Sequence, residues 1–190
     1  MSGKLIILSG PSGAGKSTIT KHLLSNKNYN LAFSVSACSR KKREHETEGK
    51  EYYFLSIDAF KSKIEDNEFL EWEEVYPNHY YGTLKVEVEK LRALGKNVIF
   101  DIDVMGGMNI KRNYKDEALS IFVSPPSIEA LQERLETRNT ESPESIARRV
   151  RKAKLEMAYA RRFDHIIQND NLEDALAEAE TLVEKFLSPL

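Results

Sequence analysis

The segment Gly10-Pro11-Ser12-Gly13-Ala14-Gly15-Lys16-Ser17-Thr18 follows the apolar run Leu5–Leu8, and a stretch with helical spacing continues from it to Ser25. Its glycines permit turn conformations that are closed to other residues, so backbone N–H groups can approach an anion closely. The N-terminus of the following helix adds further donors and positive potential. The segment therefore predicts a phosphate-binding loop between a buried strand and a helix.

Two side chains at the end of this loop have the spacing found in nucleotide sites. Lys16 is placed to reach the terminal phosphates of a nucleotide, and the Ser17 hydroxyl is placed to ligate Mg²⁺. The alternative is a glycine-rich turn that only joins the strand to the helix. The apolar strand before the loop and the helix after it favour a phosphate site over that alternative.

The composition indicates one globular domain. The chain has 190 residues, of which 31% are charged and 41% hydrophobic, enough for a sizeable core. The net charge of -2 gives no general attraction to nucleic acid or to an anionic membrane, so we expect neither as a partner. The single cysteine, Cys38, excludes an intrachain disulfide and suits a reducing compartment. The first apolar run is too short for a signal peptide or a membrane span, and a cytoplasmic location is expected.

Strand-like and helix-like segments alternate along most of the chain. The apolar runs Leu5–Leu8, Val98–Asp103 and Leu119–Val123 are typical of strands that are buried on both faces. A last strand is predicted over Asp164–Gln168, and an amphipathic helix over Leu172–Phe186. This alternation predicts an α/β fold, a three-layer sandwich with a parallel central sheet and right-handed crossovers.

Two segments depart from this alternation. From Leu31 to about Leu84 the pattern changes to short, aromatic, alternating strands with one short helix, which predicts a small antiparallel or mixed sheet. The polar segment Thr137–Pro143, which arginines flank, lies between two segments with helical spacing, Ile128–Leu135 and Ile146–Met157, and predicts a charged lid. We therefore expect a single domain over residues 1–190, with a core of 1–32, 85–136 and 153–190, an inserted subdomain of about 33–84 and a lid of about 137–152.

Charged side chains mark the edge of the predicted sheet toward which the loop also points. Asp101 and Asp103 end a buried strand, and ligands of open α/β sheets lie beyond the carboxyl ends of the strands. Carboxylates at the end of an apolar strand are costly unless they are used. Arginines beyond the loop suggest a second anion, because a guanidinium group binds phosphate bidentately. They are Arg40 and Arg43 in the inserted segment, and Arg134, Arg138 and Arg149 near the lid.

Taken together, the motifs resemble the guanylate kinase family over essentially the whole chain. They are Gly10–Thr18, Phe33–Ser36 followed by Arg40 and Arg43, Gly49–Tyr52, Glu68–Trp72, Tyr80–Thr83, Asp101–Asp103, Arg134 with Arg138, Glu144–Ile146 with Arg149, and Asn169–Asp170. Their order and spacing carry the resemblance, since outside the loop no single motif is decisive. The resemblance implies a P-loop NTPase core, an inserted mixed α+β subdomain that binds a nucleoside monophosphate, and a helical lid.

The resemblance also implies a role for individual residues. ATP would be bound by Gly10–Thr18 and Asn169, and catalysis would rest on Lys16, Arg134, Arg138 and Arg149. The phosphate of GMP would be held by Arg40, Arg43, Tyr52 and Tyr81, and guanine would be recognised by Ser36, Glu71, Thr83 and Asp103. Mg²⁺, the expected cofactor, would be bound by Ser17, with Asp101 acting on the water shell of the metal.

The chemistry of guanine agrees with this assignment. Guanine presents N–H donors at N1 and N2 and an acceptor at O6. Carboxylates such as Glu71 and Asp103 accept hydrogen bonds, and hydroxyls such as Ser36 and Thr83 can donate to O6. The expected reaction is transfer of the γ-phosphoryl group of ATP to GMP, giving ADP and GDP. The compound dGMP is a second candidate acceptor.

Some positions leave room for other interpretations. Met105 stands where the family often has Gln, and Thr83 stands where Ser is common, although Thr83 keeps the hydroxyl. Taken alone, Glu71 would lie on the exposed side of an alternating strand, with Trp72 in the core.

Two other functions compete with the kinase. The first is a non-catalytic guanylate-kinase-like interaction module, and the intact Gly15-Lys16-Ser17 and the lid arginines argue against it. The second is a related phosphotransferase that acts on another small molecule. An acceptor without guanine would leave the predicted base-binding groups unsatisfied, which argues against that function. The sequence carries no prediction of an oligomeric state.

Overall fold

The computed structural model describes residues 2–137 and 142–188. The strands are β1 (Leu5–Ser9), β2 (Leu31–Phe33), β3 (Ala37–Cys38), β4 (Tyr53–Phe54), β5 (Phe69–Tyr76), β6 (His79–Leu84), β7 (Asn97–Asp101), β8 (Ala118–Ser124) and β9 (His165–Gln168). The helices are α1 (Lys16–Ser25), α2 (Ile57–Glu65), α3 (Lys85–Ala93), α4 (Val104–Tyr114), α5 (Ile128–Thr137), α6 (Pro143–Met157) and α7 (Leu172–Leu187), and short 3₁₀ helices cover Lys27–Tyr29, Lys115–Glu117 and Ala160–Arg162.

The central sheet has five parallel strands in the order β2-β7-β1-β8-β9. Every residue of β1 and β8 is buried, as expected of parallel strands covered on both faces. Ile19 of α1 and Val183 of α7 pack against one face, and Val88 of α3 and Ile110 of α4 pack against the other. The predicted three-layer α/β fold with a parallel central sheet is confirmed.

The smaller sheet is mixed, with strand order β4-β3-β6-β5. Strand β3 pairs parallel with β4 and antiparallel with β6, and β5 pairs antiparallel with β6. Its own core contains Phe60 of α2, whose ring stacks on Phe69 at 4.4 Å and on Tyr80 at 5.5 Å between centroids. Leu31–Phe33 does not join this sheet, because it pairs with β7 at the edge of the central sheet.

Helix α4 was not predicted from the sequence. Asp103 caps its N-terminus, and Oδ1 of Asp103 accepts hydrogen bonds from the N–H groups of Met105 at 2.8 Å and Gly106 at 3.0 Å. Two adjacent glycines disfavour a helix on propensity, so packing must account for this one. The helix covers the sheet directly after the carboxyl end of β7 and orients Asp103.

Helices α5 and α6 pack on each other through Leu131, Leu135 and Ala153. Helix α6 is capped by Ser142, whose side chain accepts from the N–H of Ser145, and it has proline at its first position. The predicted lid is therefore helical from Pro143 onward. Residues 138–141 lie outside the described part. Within residues 2–137 and 142–188, no helix is long and apolar enough to cross a membrane.

Candidate active site

The phosphate-binding loop connects β1 to α1 and is fitted closely against neighbouring strands. Gly10 has φ 139° and Gly15 has φ 103°, in the left-handed region that side chains disfavour. A Cβ at Gly10 would lie 2.3 Å from the carbonyl oxygen of Val123, and one at Gly15 would lie 2.1 Å from Asn169 Nδ2. That amide of Asn169 donates to the carbonyl of Ala14 at 2.7 Å. The end of β9 therefore fixes the shape of the loop.

The side chain of Lys16 folds back over the loop. Its Nζ donates to the carbonyl oxygens of Gly10 at 2.7 Å and Pro11 at 3.1 Å. Burial lowers the pKa of this ammonium group, and the nearby carboxylates of Asp101 and Glu156 oppose that effect. The cation is thus held beside the glycine backbone, where phosphate oxygens would bind.

Two oxygen-bearing side chains meet at the beginning of α1. The hydroxyl of Ser17 donates to Oδ2 of Asp101 at the end of β7. Hydroxyl and carboxylate oxygens are ligands that suit Mg²⁺, which usually keeps several waters. Within the described residues, this position included, no group of three or more His, Cys, Asp or Glu side chains could hold a metal ion by itself. A metal at this position would need phosphate or water oxygens to complete its coordination.

A cavity of about 360 Å³ lies above the loop. It is lined by Gly10, Ser12, Gly13, Gly15, Lys16, Ser17, Thr18, Asp101, Ile102, Asp103, Arg149, Lys152 and Glu156. Arg149 of α6 reaches across it, and its Nη1 donates to the hydroxyl of Ser12 at 2.9 Å. The cavity therefore joins the loop, the carboxyl end of β7 and the arginine-rich helix.

A second hollow of about 520 Å³ flanks the loop on the side of α5. Arg134 lines it, and its Nη2 donates to the carbonyl of Asn169 at 2.8 Å. Gly13 and Thr18 of the loop also face this hollow. Arg138, predicted to act with these residues, lies outside the described residues.

The inserted sheet buries a carboxylate. Glu71 on β5 is 7% exposed, and Thr83 Oγ1 on β6 donates to its Oε1 at 2.6 Å. Burial raises the pKa of Glu71 to about 7, and the charge of Asp103 adds to the effect. Trp72 is 46% exposed, so the alternative in which Trp72 fills the core and Glu71 faces solvent is wrong.

The remaining residues predicted to recognise the base lie near this carboxylate or on its sheet. A Cβ at Gly106 would lie 2.8 Å from Glu71 Oε2, so the beginning of α4 directly adjoins Glu71. Asp103, the cap of α4, is thereby placed beside the inserted sheet. Ser36 is half-buried just before β3, and its carbonyl accepts from the N–H of Tyr53 at 2.9 Å.

Three of the four residues predicted for the acceptor phosphate form one cluster. Arg40 Nε donates to the hydroxyl of Tyr81 at 3.2 Å, and the guanidinium lies 5.1 Å from the ring centroid of Tyr52. The rings of Tyr52 and Tyr81 meet edge to face at 5.7 Å. Arg43 is exposed and joins the cluster through its backbone N–H, which donates to Glu46 at 2.8 Å.

Sequence reasoning missed several charged residues at these sites. Glu46 forms an ion pair with Arg40. Lys152 and Glu156 line the cavity, and Lys152 Nζ lies 3.7 Å from Glu73 Oε2 on β5. The helical spacing of Lys152 and Glu156 was visible, but a solvated face has the same pattern. Only the position of α6 over the loop distinguishes side chains that line a cavity from those of a solvated helix face.

Comparisons with known proteins identify the family of the chain. The model of the family described as "Guanylate kinase" matches residues 2–186. Among curated relatives, guanylate kinase from Bacteroides thetaiotaomicron is 56% identical over 188 residues, covering 99% of this chain and 92% of that protein. The one from Porphyromonas gingivalis is 51% identical over 185 residues, covering 97% and 98%. A crystal structure of guanylate kinase from Anaplasma phagocytophilum superposes with a TM-score of 0.76 at 26% identity, over 98% of this chain and 88% of that one. The chain therefore belongs to the guanylate kinase family.

Proposed function

We propose that this protein transfers the γ-phosphoryl group of ATP to GMP, giving ADP and GDP. The observation that carries the proposal is the cavity of about 360 Å³, which Lys16 and Ser17 line from the loop and Asp103 lines from the start of α4. A site suited to a phosphoryl donor and a carboxylate suited to guanine N–H groups thus face one space. Family membership supports the same acceptor.

On the donor side, Gly10–Thr18 and Asn169 bind ATP. The loop amides surround the phosphates, and Lys16 Nζ exchanges the carbonyls of Gly10 and Pro11 for phosphate oxygens. Ser17 would hold Mg²⁺ directly and Asp101 would hold its water shell, and the hydrogen bond between these two side chains supports this pairing. When bound, the metal neutralises charge on the phosphates and orients them.

On the acceptor side, the base is recognised within the inserted sheet. Glu71 and Asp103 accept hydrogen bonds from guanine N1 and N2, and Ser36 and Thr83 supply hydroxyls. Thr83 already donates to Glu71, and this hydrogen bond fixes the orientation of that carboxylate. The acceptor phosphate is held by a separate group, Arg40, Arg43, Tyr52 and Tyr81.

The transfer is an in-line displacement. An oxygen of the GMP phosphate forms a bond to the γ-phosphorus, while the bond from that phosphorus to the β–γ bridging oxygen breaks and ADP leaves. The acceptor phosphate has a second pKa of about 6 and is largely dianionic at neutral pH, so no general base is needed. Lys16, Arg134, Arg138 and Arg149 stabilise the charge on the transferring group.

Closure of the subdomain and the lid over both nucleotides would exclude water and suppress hydrolysis of ATP. We keep the division predicted from the sequence, with residues of about 33–84 closing over GMP and residues of about 137–152 closing over ATP. The cytoplasmic location rests on the composition argument, namely a single cysteine.

An ADP-release assay tests this function. The protein is supplied with Mg-ATP and, separately, GMP, dGMP, AMP, CMP and UMP. We expect ADP with GMP, or with GMP and dGMP, and a loss of about 100-fold or more in kcat for Lys16→Ala, because the cation stabilises transition-state charge. Lys21→Ala, which removes an exposed lysine from the same helix, is the matched control and should retain activity.

Two outcomes would contradict the proposal. If folded protein releases no ADP with any monophosphate, the interaction module becomes the better explanation. If an acceptor without guanine is preferred, the protein is a different phosphotransferase.

A further inference from the structure

We propose that Glu46 is a positioning residue for the acceptor phosphate, which it serves by fixing Arg40 and the backbone at Arg43. The inference rests on the proposed function, since it takes these arginines as the phosphate-binding pair. Glu46 lies in the turn after Arg43, and no motif of the sequence singled it out. Its carboxylate touches neither the cavity above the loop nor the buried pair Glu71–Thr83.

Glu46 and Arg40 form an ion pair. Nη1 of Arg40 donates to Oε2 of Glu46 at 2.7 Å, and Nη2 donates to Oε1. The side chains are only 13% and 6% exposed. A buried bidentate ion pair holds the guanidinium plane in one orientation, whereas solvent-exposed ion pairs on a surface constrain it little.

The remaining contacts of Arg40 extend the same orientation. Nε donates to the Tyr81 hydroxyl, Nη1 donates also to the carbonyl of Lys41 at 3.1 Å, and the guanidinium lies over the rings of Tyr52 and Phe54. A guanidinium has five N–H donors, so most of those of Arg40 are engaged. Arg40 therefore presents one remaining Nη2 donor to a ligand, in a direction that Glu46 determines.

Glu46 also contacts the backbone of Arg43. The backbone N–H of Arg43 donates to Oε2 of Glu46, the same oxygen that accepts from Arg40 Nη1. One carboxylate thus ties both arginines together, and through Arg40 it is linked to Tyr52 and Tyr81. Arg40, its aromatic neighbours and the backbone of Arg43 are therefore connected to this single acidic group.

The charge of Glu46 and its positioning of Arg40 predict opposite effects on the binding of GMP. A carboxylate beside a phosphate site lowers its positive potential, so on charge alone its removal should tighten the binding of GMP. If Glu46 positions Arg40, removal of its carboxylate should weaken the binding of GMP. The free-energy cost of ordering Arg40 would then be part of the binding step. The hydrogen bonds from Arg40 lower the pKa of Glu46 to about 2, so the pair stays ionised at neutral pH. The two effects have opposite signs, and an experiment can tell them apart.

The test is Glu46→Gln with Glu44→Gln as its matched control. Glu44 is exposed and lies two residues earlier, so both variants remove one negative charge from the same turn. We expect Glu46→Gln to raise the KM for GMP about tenfold, the loss typical of a hydrogen bond to a charged group, with kcat and the KM for ATP little changed. Glu44→Gln should leave the KM for GMP equal or slightly lower.

Guanosine distinguishes positioning from general damage. It has the base and no phosphate, so its inhibition constant against GMP should be the same in wild type and Glu46→Gln. Glu46→Asp, which keeps the charge on a shorter side chain, should recover part of the lost affinity for GMP. If Glu46→Gln does not fold, the Asp variant carries the comparison.

Three results would overturn the inference. One is a KM for GMP that stays equal or falls in folded Glu46→Gln, and another is a parallel loss of affinity for guanosine and GMP. The third is an Arg40 Nε–H signal in the NMR spectrum that is as sharp and as slowly exchanging in Glu46→Gln as in wild type. Wild-type protein without ADP release would count against the proposed function alone, and the NMR comparison would still decide the role of Glu46.

Discussion

The residue with the most informative environment is Glu71. Its carboxylate is buried between β5, β6 and the start of α4, with one hydroxyl donor and Asp103 nearby. A pKa of about 7 means that the group is partly protonated at neutral pH in the absence of nucleotide. The proposed contact with two guanine N–H groups needs the ionised carboxylate, so the proposed binding of the base would be coupled to loss of this proton.

The raised pKa predicts how stability depends on pH. Between the ordinary value of 4.5 and about 7, the unfolded chain releases the proton of Glu71 while the folded chain keeps it, so rising pH favours unfolding. The effect is absent below this window and complete above it. Relative to wild type, the free energy of unfolding of Glu71→Gln should rise by about 2 to 3 kcal/mol between about pH 5 and about pH 8. Urea denaturation of the nucleotide-free proteins measures the difference.

Glu65→Gln is the control, since Glu65 is an exposed glutamate at the end of α2 in the same subdomain. It shows how the loss of one exposed carboxylate by itself changes stability at the two pH values. A difference between Glu71→Gln and wild type that stays constant with pH would mean that burial does not hold the proton on Glu71.

At the scale of elements, α4 shows why a helix can be invisible in its sequence. Gly106 and Gly107 lower its helix propensity, and the preceding Asp103 was interpreted only as a ligand-binding residue. In the structure, a Cβ at Gly107 would lie 2.2 Å from Ser9 Oγ and 3.1 Å from Ile7 Cγ2. The glycines therefore let α4 approach β1, which brings Asp103 to the edge of the cavity.

Substitution of Gly107 tests whether packing outweighs propensity. On propensity alone, Gly107→Ala would stabilise α4 by up to about 1 kcal/mol. Because the methyl group would overlap Ser9, we expect a net loss of about 1 to 3 kcal/mol in the free energy of unfolding. Thermal or urea denaturation measures this loss.

The double variant Gly107→Ala with Ser9→Ala is the internal control. Removing the hydroxyl of Ser9 makes room for the new methyl group, so the double variant should be more stable than the sum of the two single changes predicts. Additive losses would show that the clash with Ser9 is not the cause.

At the scale of the whole molecule, the candidate site and a buried arginine lie at opposite edges of the central sheet. The candidate site occupies the carboxyl edge, while Arg92 lies at the amino edge and is 6% exposed. Its Nε donates to the carbonyl of Gly3 at 2.8 Å, and its Nη groups pair with Glu89 and Glu117. One buried arginine thus joins α3 to the segments that precede β1 and β8.

Arg92→Met should destabilise the protein without changing its chemistry. The variant keeps an apolar stem but leaves the carbonyl of Gly3 unsatisfied, which costs about 2 kcal/mol of unfolding free energy. The values of KM and kcat should stay near those of wild type when both are assayed well below their melting temperatures.

Arg161→Met removes an exposed arginine and should change neither stability nor kinetics. A kinetic defect in Arg92→Met equal to that of a loop variant would contradict this separation of the two edges.

Much of the fold and part of the site could be predicted because the signals are local. Buried parallel strands are continuous apolar runs, so β1 and β8 were evident, and Gly10–Ser17 carries its own loop geometry. Glu71 could be proposed only through resemblance, since alternation alone placed it in solvent. Glu46 had no signal, because a carboxylate in a charged turn has the same appearance whether it is solvated or paired.

The sequence by itself determined the alternation of strands and helices over most of the chain, the parallel central sheet and the phosphate-binding loop, because apolar periodicity and glycine placement act over a few neighbouring residues. Only the tertiary structure decided which carboxylates are buried, that α4 forms despite its glycines, and that Glu46 holds Arg40. Those outcomes depend on contacts between segments that are distant along the chain, such as Gly107 with Ser9 and Arg149 with Ser12. Burial and hydrogen-bond partners, which set the chemistry of a charged group, arise only when such segments are packed together.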